Sequence, residues 1–282
     1  MKLARAAVRK FRNFIDSTTV EIQPDITCLV GKNESGKTAF AQAFNLLNPA
    51  RNNVQLSVQD QYPAWLEKRD RLAGQKLEEF RPIEAIFRLE EPEESVVEQR
   101  FGKRVLRSDE VTISRNYAGE LSMTFDADEK AAVDEAIGSV AMPESIKGRF
   151  SNMETFAELV ESVDRLAGGE DASSEAGQAA AAIKMAIEKV LGESSFQAAL
   201  EQTLQLSVPQ FFYFANYSSL PYSVKIKELL AAQDKDLSDD LLTARCLLRM
   251  AGADQDYLLN PDYERRKREL ENVANALTQG CA

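Results

Sequence analysis

Gly31-Lys32-Asn33-Glu34-Ser35-Gly36-Lys37-Thr38 is the stretch on which the reading of this chain turns. At every position it satisfies G-x-x-x-x-G-K-[ST], the pattern of a loop that cradles phosphate. Glycine at about 7% of residues makes a chance match in a chain this long an event on the order of 1%. The flanks add context. Ile26-Thr27-Cys28-Leu29-Val30 is a nearly continuous apolar run and predicts a strand buried on both faces. Phe40, Ala43, Phe44 and Leu47 fall at i, i+3, i+4, i+7 and predict an amphipathic helix stopped by Asn48-Pro49.

The residue types suit phosphate chemistry. Gly31 and Gly36 permit backbone conformations and close approaches that a Cβ would block. The amides of Asn33, Glu34, Ser35, Gly36, Lys37 and Thr38, with the positive end of the following helix, can form an anion nest for two phosphates. Lys32 lies inside the same loop. Lys37 is expected to reach the β- and γ-phosphates and to neutralise developing charge, and Thr38 to offer its hydroxyl to Mg²⁺, a hard ion that takes oxygen ligands.

Working outward, Ala7–Phe14 and Thr18–Ile22 roughly alternate and predict two strands, with Asp16-Ser17 as the turn between them. Residues 50–80 are polar and irregular and hold the single tryptophan, Trp65. Pro82–Leu89 resumes strand character. Val111–Ser114 and Leu121–Phe125 predict a hairpin across Asn116–Gly119. From Asp128 to about Leu204 the pattern is helical, with Ala176, Ala180, Ile183, Ile187 and Val190 along one face and a loop at 168–174. Val208–Phe214 predicts a return strand. Helices follow at about 223–232, 237–252 and 262–278, the last with Tyr263, Leu270 and Leu277 spaced by seven. The expected organisation is a phosphate-loop lobe over 1–127, a helical insertion over 128–205, and a return strand with helices over 206–282.

Composition narrows the chemistry. The 282 residues are 44% hydrophobic and 28% charged, the balance of a soluble globular protein of one large or two smaller domains. No run approaches a membrane span and no secretory leader precedes the first strand, so no membrane partner is expected. Three separated cysteines predict no disulfide framework and a cytoplasmic setting. Histidine is absent, which excludes Ser-His-Asp and Cys-His catalysis and the usual zinc sites. The net charge of -11 is uneven: residues 1–60 carry eight basic and five acidic side chains, and the rest carries 26 and 40. That is not the charge of a whole-surface nucleic-acid binder.

An Asn-Lys-x-Asp motif, expected in a GTPase, is missing, and about 25 residues of antiparallel-strand character precede the loop's strand, where a small-molecule kinase usually begins with that strand. Lys10-Phe11-Arg12-Asn13-Phe14, the run Leu29–Thr38, and Ala43-Phe44-Asn45-Leu46-Leu47 together resemble the ATP-binding heads of the RecF, SMC and ABC group. More narrowly, Asp60-Gln61-Tyr62-Pro63, the strand Glu84–Leu89, Val208–Phe214 and Leu247–Gly252 make the chain look like the N-terminal part of an AAA-type ATPase related to the overcoming-lysogenization-defect (OLD) proteins. The resemblance implies an α/β fold of the P-loop NTPase type, with N-terminal antiparallel strands and a largely helical insertion. It implies ATP and Mg²⁺ as cofactors and head-to-head dimers, often coupled to DNA repair or to antiviral defence with a nuclease. It also places basic groups such as Arg9, Lys10 and Arg12 near the nucleotide, where solvated strand-edge charges are the alternative, and Arg12 is the one assigned to the cofactor. Gln59, Asp60 and Gln61 fall where a polar loop reaches Mg²⁺ or the attacking water, with Asp60 the metal-side candidate and a surface turn the alternative. Arg265–Arg268 could meet DNA phosphates or form a wet helix face.

A Walker B strand, four apolar residues ending in Asp and usually followed by Glu, is not found. Ala85–Glu91 lacks the Asp and reads as a solvated strand end. Ala132-Val133-Asp134-Glu135 reads as a helix surface. Leu166-Ala167-Gly168-Gly169-Glu170 superficially matches an ABC signature but leads into a loop, and Val208–Phe214 ends in Ala215-Asn216. In the related proteins these motifs lie in a C-terminal lobe beyond a helical insertion, and this chain ends at Ala282. The expectation is therefore the N-terminal half of an ATPase, inactive alone and completed by a homodimer, a second lobe or a subunit. A non-hydrolysing nucleotide-binding module and a P-loop phosphotransferase are the alternatives.

Overall fold

A computed structural model describes residues 1–17, 19–50, 55–169, 174–214, 220–233 and 236–280. The strands are β1 (Lys2–Phe11), β2 (Phe14–Asp16), β3 (Val20–Glu21), β4 (Ile83–Arg88), β5 (Leu106–Arg115) and β6 (Leu121–Ala127). They form one sheet in the order β2-β1-β4-β5-β6, with β3 also on β1, and β1 pairs antiparallel with both β2 and β3. The helices are α1 (Lys37–Leu47), α2 (Val58–Gln61), α3 (Ala64–Leu72), α4 (Glu91–Phe101), α5 (Glu129–Gly138), α6 (Glu144–Lys147), α7 (Phe156–Gly169), α8 (Glu175–Leu191), α9 (Phe196–Gln205), α10 (Ile226–Ala231), α11 (Asp239–Met250), α12 (Gln255–Leu258) and α13 (Tyr263–Gly280). The architecture is mixed α/β with an antiparallel strand pair at its start.

Chain contacts divide into two units. One comprises Met1–Leu3, Ile86–Ile113 and Ser122–Val208; the other comprises Ala4–Ala85, Ser114–Leu121 and Pro209–Ala282. The first unit is built mainly of helices with local start and stop signals. The Glu90 and Glu93 side chains form a reciprocal capping box at the start of α4, with Pro at its first turn. Asp128, Ser174 and Ser195 accept from the backbone amides of Ala131, Gly177 and Ala198 at the starts of α5, α8 and α9. Ala180, Ile183, Ile187 and Val190 are the buried stripe of α8, while Phe101 and Phe156 both pack against Phe196. Arg100 pins this core by donating to the Val190 carbonyl at 2.9 Å and to Thr203 Oγ1 at 3.0 Å.

The second unit carries the phosphate-loop stretch. Phe40, Ala43 and Leu47 are buried on α1, as the spacing predicts, while Phe44 is half-buried and Leu46 is buried in addition, and the helix ends at Asn48 before Pro49. An aromatic row runs from Phe14 through Phe40 and Phe44 to Phe211, with ring centroids 6.2, 5.0 and 6.0 Å apart.

Three sequence expectations are corrected. The first turn is not at Asp16-Ser17: β1 and β2 register Phe11 against Phe14, so the chain reverses at Arg12-Asn13, with Arg12 left-handed at φ 52°. A two-residue hairpin favours positive φ at its centre, and an Arg there carries no turn signal in the sequence. The run Ile26–Val30 is not a buried strand. No described strand pairs with it, and Ile26 and Val30 are 72% and 91% exposed. Its apolar composition fits a ladder that the described sheet does not provide. The return strand Val208–Phe214 reduces to a single parallel bridge, Pro49 to Phe211, and Ala215-Asn216 lie outside the described residues.

The hairpin β5–β6 matches expectation with longer arms, turning at Asn116–Gly119, where Gly119 takes φ 87°. Leu166–Gly169 is the end of α7, and Glu170 lies outside the described residues. The helices after residue 220 fall within a few residues of their predicted bounds, with the short α12 added.

Candidate phosphate-binding site

The loop Gly31–Gly36 opens directly into α1. Its shape is set by two left-handed residues, Glu34 at φ 64° and Gly36 at φ 93°. Gly36 is the N-cap of α1, and no side chain caps the helix there. The first-turn amides are thus donors with no side-chain acceptor, at the positive end of an eleven-residue helix. Gly36 is also a close approach: a Cβ would lie 2.8 Å from two ring atoms of Phe14 and 3.3 Å from Asn13 Nδ2. Glycine is required at this position on both counts.

Lys37 is the first residue of α1 and folds back over the loop. Its ammonium donates to the Gly31 carbonyl at 2.9 Å, the Lys32 carbonyl at 2.7 Å and Ser35 Oγ at 3.5 Å. These carbonyls hold the charge over the loop until an anion offers better acceptors. Gly31, Lys32, Asn33, Glu34, Ser35 and Thr38 are solvent-exposed, so the loop's outer face is accessible. Uncapped amides, a left-handed loop and a converging ammonium fit the phosphates of a nucleotide. Thr38 offers an exposed hydroxyl for Mg²⁺, and no described group of three or more His, Cys, Asp or Glu could hold a metal. A magnesium ion here would draw its remaining ligands from phosphate and water, its ordinary habit.

The turn between β1 and β2 lies against this loop. Asn13 Nδ2 donates to the Glu34 carbonyl at 3.2 Å, and the Phe14 ring covers Gly36. Arg12 donates through its guanidinium to Gln42 Oε1 on α1 and through its amide to the Gln61 carbonyl at 2.5 Å. The structure therefore brings Arg12, a sequence candidate, beside the loop-bearing helix. Asp60 is treated differently: it is exposed on the short α2, and no hydrogen bond joins it to Lys37 or Thr38 among the described residues. Of that trio it is Gln61 that meets the site's surroundings. Arg9 is engaged elsewhere, with Asp16 at 3.2 Å.

Asn13, Phe14 and Gln42 had no role from spacing. Asn13 and Phe14 stood within a strand reading, and the misplaced turn hid that they form its tip. Gln42 falls on the polar side of α1, where periodicity carries no information about partners.

Beneath the turn lies a buried charged cluster. Asp70 is 2% exposed and accepts from Lys10 Nζ at 2.8 Å, Tyr62 OH at 2.6 Å and Arg69 Nε at 2.9 Å. The hydrogen bond from Lys10, then that from Tyr62, holds the Asp70 carboxyl well below the usual carboxylate range. Burial and then the bond to Asp70 push the Tyr62 phenol above its ordinary value, and burial does the same to Tyr117.

The carboxylates considered as hydrolytic groups are used otherwise. Glu90 belongs to the α4 capping box and pairs with Lys2 at 3.0 Å and the N-terminal amine at 3.4 Å. Asp134 and Glu135 are exposed on α5, with Glu135 packed against Gly102.

Residues 1–130 match the AAA ATPase domain family, which supports an AAA-type ATPase and nucleotide binding by this stretch. No curated protein and no solved structure matches the chain. No described helix is long and apolar enough to cross a membrane.

Proposed function

We propose that this chain binds Mg-ATP at Gly31–Thr38 and works as the nucleotide-holding part of an ATPase head of the RecF, SMC and OLD kind. The observation that carries the reading is the phosphate loop itself, with uncapped amides at the start of α1 and the Lys37 ammonium folded over them. In this reading the loop amides and Lys37 bind and orient the phosphates, Thr38 holds the metal, and Arg12 turns from Gln42 toward the nucleotide. A magnesium ion held by Thr38 would supply positive charge to the phosphates. Catalysis in such a site is positioning and electrostatics rather than covalent chemistry.

The carboxylate that activates water comes, we propose, from a second lobe or a different subunit. Support for this is where the described carboxylates lie: in the Asp-Glu pair that follows β6, Asp128 caps α5 and Glu129 accepts from the Phe156 amide, Glu90 caps α4, and Asp134 and Glu135 lie exposed on α5. The same observation supports a second reading, a nucleotide-dependent interaction module without turnover. A role in DNA repair or in antiviral defence beside a nuclease rests on the resemblance carried by Lys10–Phe14 and the loop. Phosphate release from Mg-ATP tests the incomplete-site reading. The chain alone is expected to bind nucleotide and release no phosphate above its Lys37→Ala variant; Lys37-dependent turnover by the chain alone would show that a general base is present within it.

A further inference from the structure

The Asp70 cluster has no part in binding nucleotide directly, yet it is costly. A buried ion pair is often no better a stabiliser than apolar packing, and one attested use of such a pair is to specify an arrangement. Its cation, Lys10, is itself held in the left-handed region at φ 43°, and so is Arg12 two residues on, at φ 52°. Left-handed non-glycine residues persist where their surroundings over-determine them. Here the determinants are visible. Lys10 Nζ is fixed by Asp70 at 2.8 Å and Gln75 Oε1 at 2.9 Å, and sits 4.9 Å from the Phe80 ring centroid. The Lys10 carbonyl accepts from Tyr117 OH at 2.6 Å.

What this arrangement specifies is the reach of the next four residues. Arg12 is tied to Gln61 and Gln42, Asn13 donates to the Glu34 carbonyl, and Phe14 lies on Gly36. Glu34 is the left-handed non-glycine residue inside the loop, and the orientation of its peptide decides where the adjoining amides point.

We propose that the Lys10–Asp70 ion pair is a positioning device for phosphate binding, acting through Asn13 on the Glu34 peptide of the loop. Lys10 and Asp70 are positioning residues: neither contacts the loop itself. The proposal rests on the nucleotide-binding reading above, but the shape of the loop can be followed without nucleotide.

Two measurements on the full chain test it, using Lys10→Met, Lys10→Arg, Asn13→Ala, Asp70→Asn and the Lys10→Met/Asn13→Ala double variant. In the nucleotide-free protein, the backbone amide resonances of residues 33–37 should shift along the same direction in Lys10→Met and in Asn13→Ala. In titrations with Mg²⁺ and a fluorescent N-methylanthraniloyl ATP, each of those variants should bind about tenfold more weakly, with the double variant no weaker than the worse single one. Lys10→Arg, which keeps the ion pair, should stay within about threefold of the parent. Loop resonances unmoved in a folded Lys10→Met, or affinity losses that add in the double variant, overturn the proposal. If Lys10→Met does not fold, the near-isosteric Asp70→Asn takes its place in both measurements and is judged by the same outcomes. A parent chain that binds no nucleotide counts against the proposed function, while the resonances still decide the positioning role.

Discussion

Gly36 shows how much one residue decides here. It caps α1, turns the loop at φ 93°, and lies under the Phe14 ring. Gly36→Ala should destabilise the protein by about 1–3 kcal/mol, from the left-handed backbone and the displaced ring together. Thermal unfolding reads this directly, and an unchanged melting temperature would mean that the turn moves aside at no cost. The sequence made the identity of this glycine legible, because the motif's spacing is fixed by chemistry. It did not reveal Phe14 as the neighbour. That contact depends on a turn at Arg12-Asn13, and an Arg held at positive φ is recognisable only from its surroundings.

At the scale of elements, the stretches were legible where periodicity speaks and obscure where pairing does. Most of the buried face of α1 and of the stripe of α8 follows from spacing, though Phe44 and Ala176 are only half-buried. The run Ile26–Val30 did not, since an apolar run reports what a segment could bury against and not whether a partner strand is there. Its exposure makes a prediction about the cysteines. Cys28 lies in the run and is exposed, while Cys246 on α11 is 2% exposed. In a Cys281→Ser background, one thiol should react with a disulfide reagent at the rate of a free cysteine, and the second should wait for unfolding. Mass mapping should assign the fast site to Cys28. Slow reaction at Cys28 would mean that the run is covered after all.

For the whole molecule, ionisable groups make pH a probe of the β1 platform. Tyr62 and Tyr117 have phenols raised by burial in the fold, so their contribution is fully present below the unfolded value of about 10 and is lost as pH rises above it. Asp70 has the opposite sign. Held low by Lys10 and Tyr62, it contributes above about pH 4, and that contribution disappears as pH falls further. The melting temperature should therefore fall above about pH 10, less steeply in Tyr117→Phe. An identical alkaline slope in that variant would show that Tyr117 ionises in the folded protein as freely as in the unfolded one. Tyr62→Phe should lower the melting temperature at neutral pH as well, since it removes a donor from a buried carboxylate.

The family match over residues 1–130 and the phosphate loop within that span support the same chemistry. The helices beyond it were legible as elements, while the strand expected at Val208–Phe214 is a single bridge; how these parts would complete a site was not legible, because no motif marks it. The central claim is nucleotide binding by Gly31–Thr38. Its most direct test is calorimetric titration of the 282-residue chain with Mg-ATP beside Lys37→Ala. The account predicts saturable binding at one site per chain, weakened at least about tenfold when the ammonium is removed. Equal binding by the two proteins, or none by the parent, would contradict it.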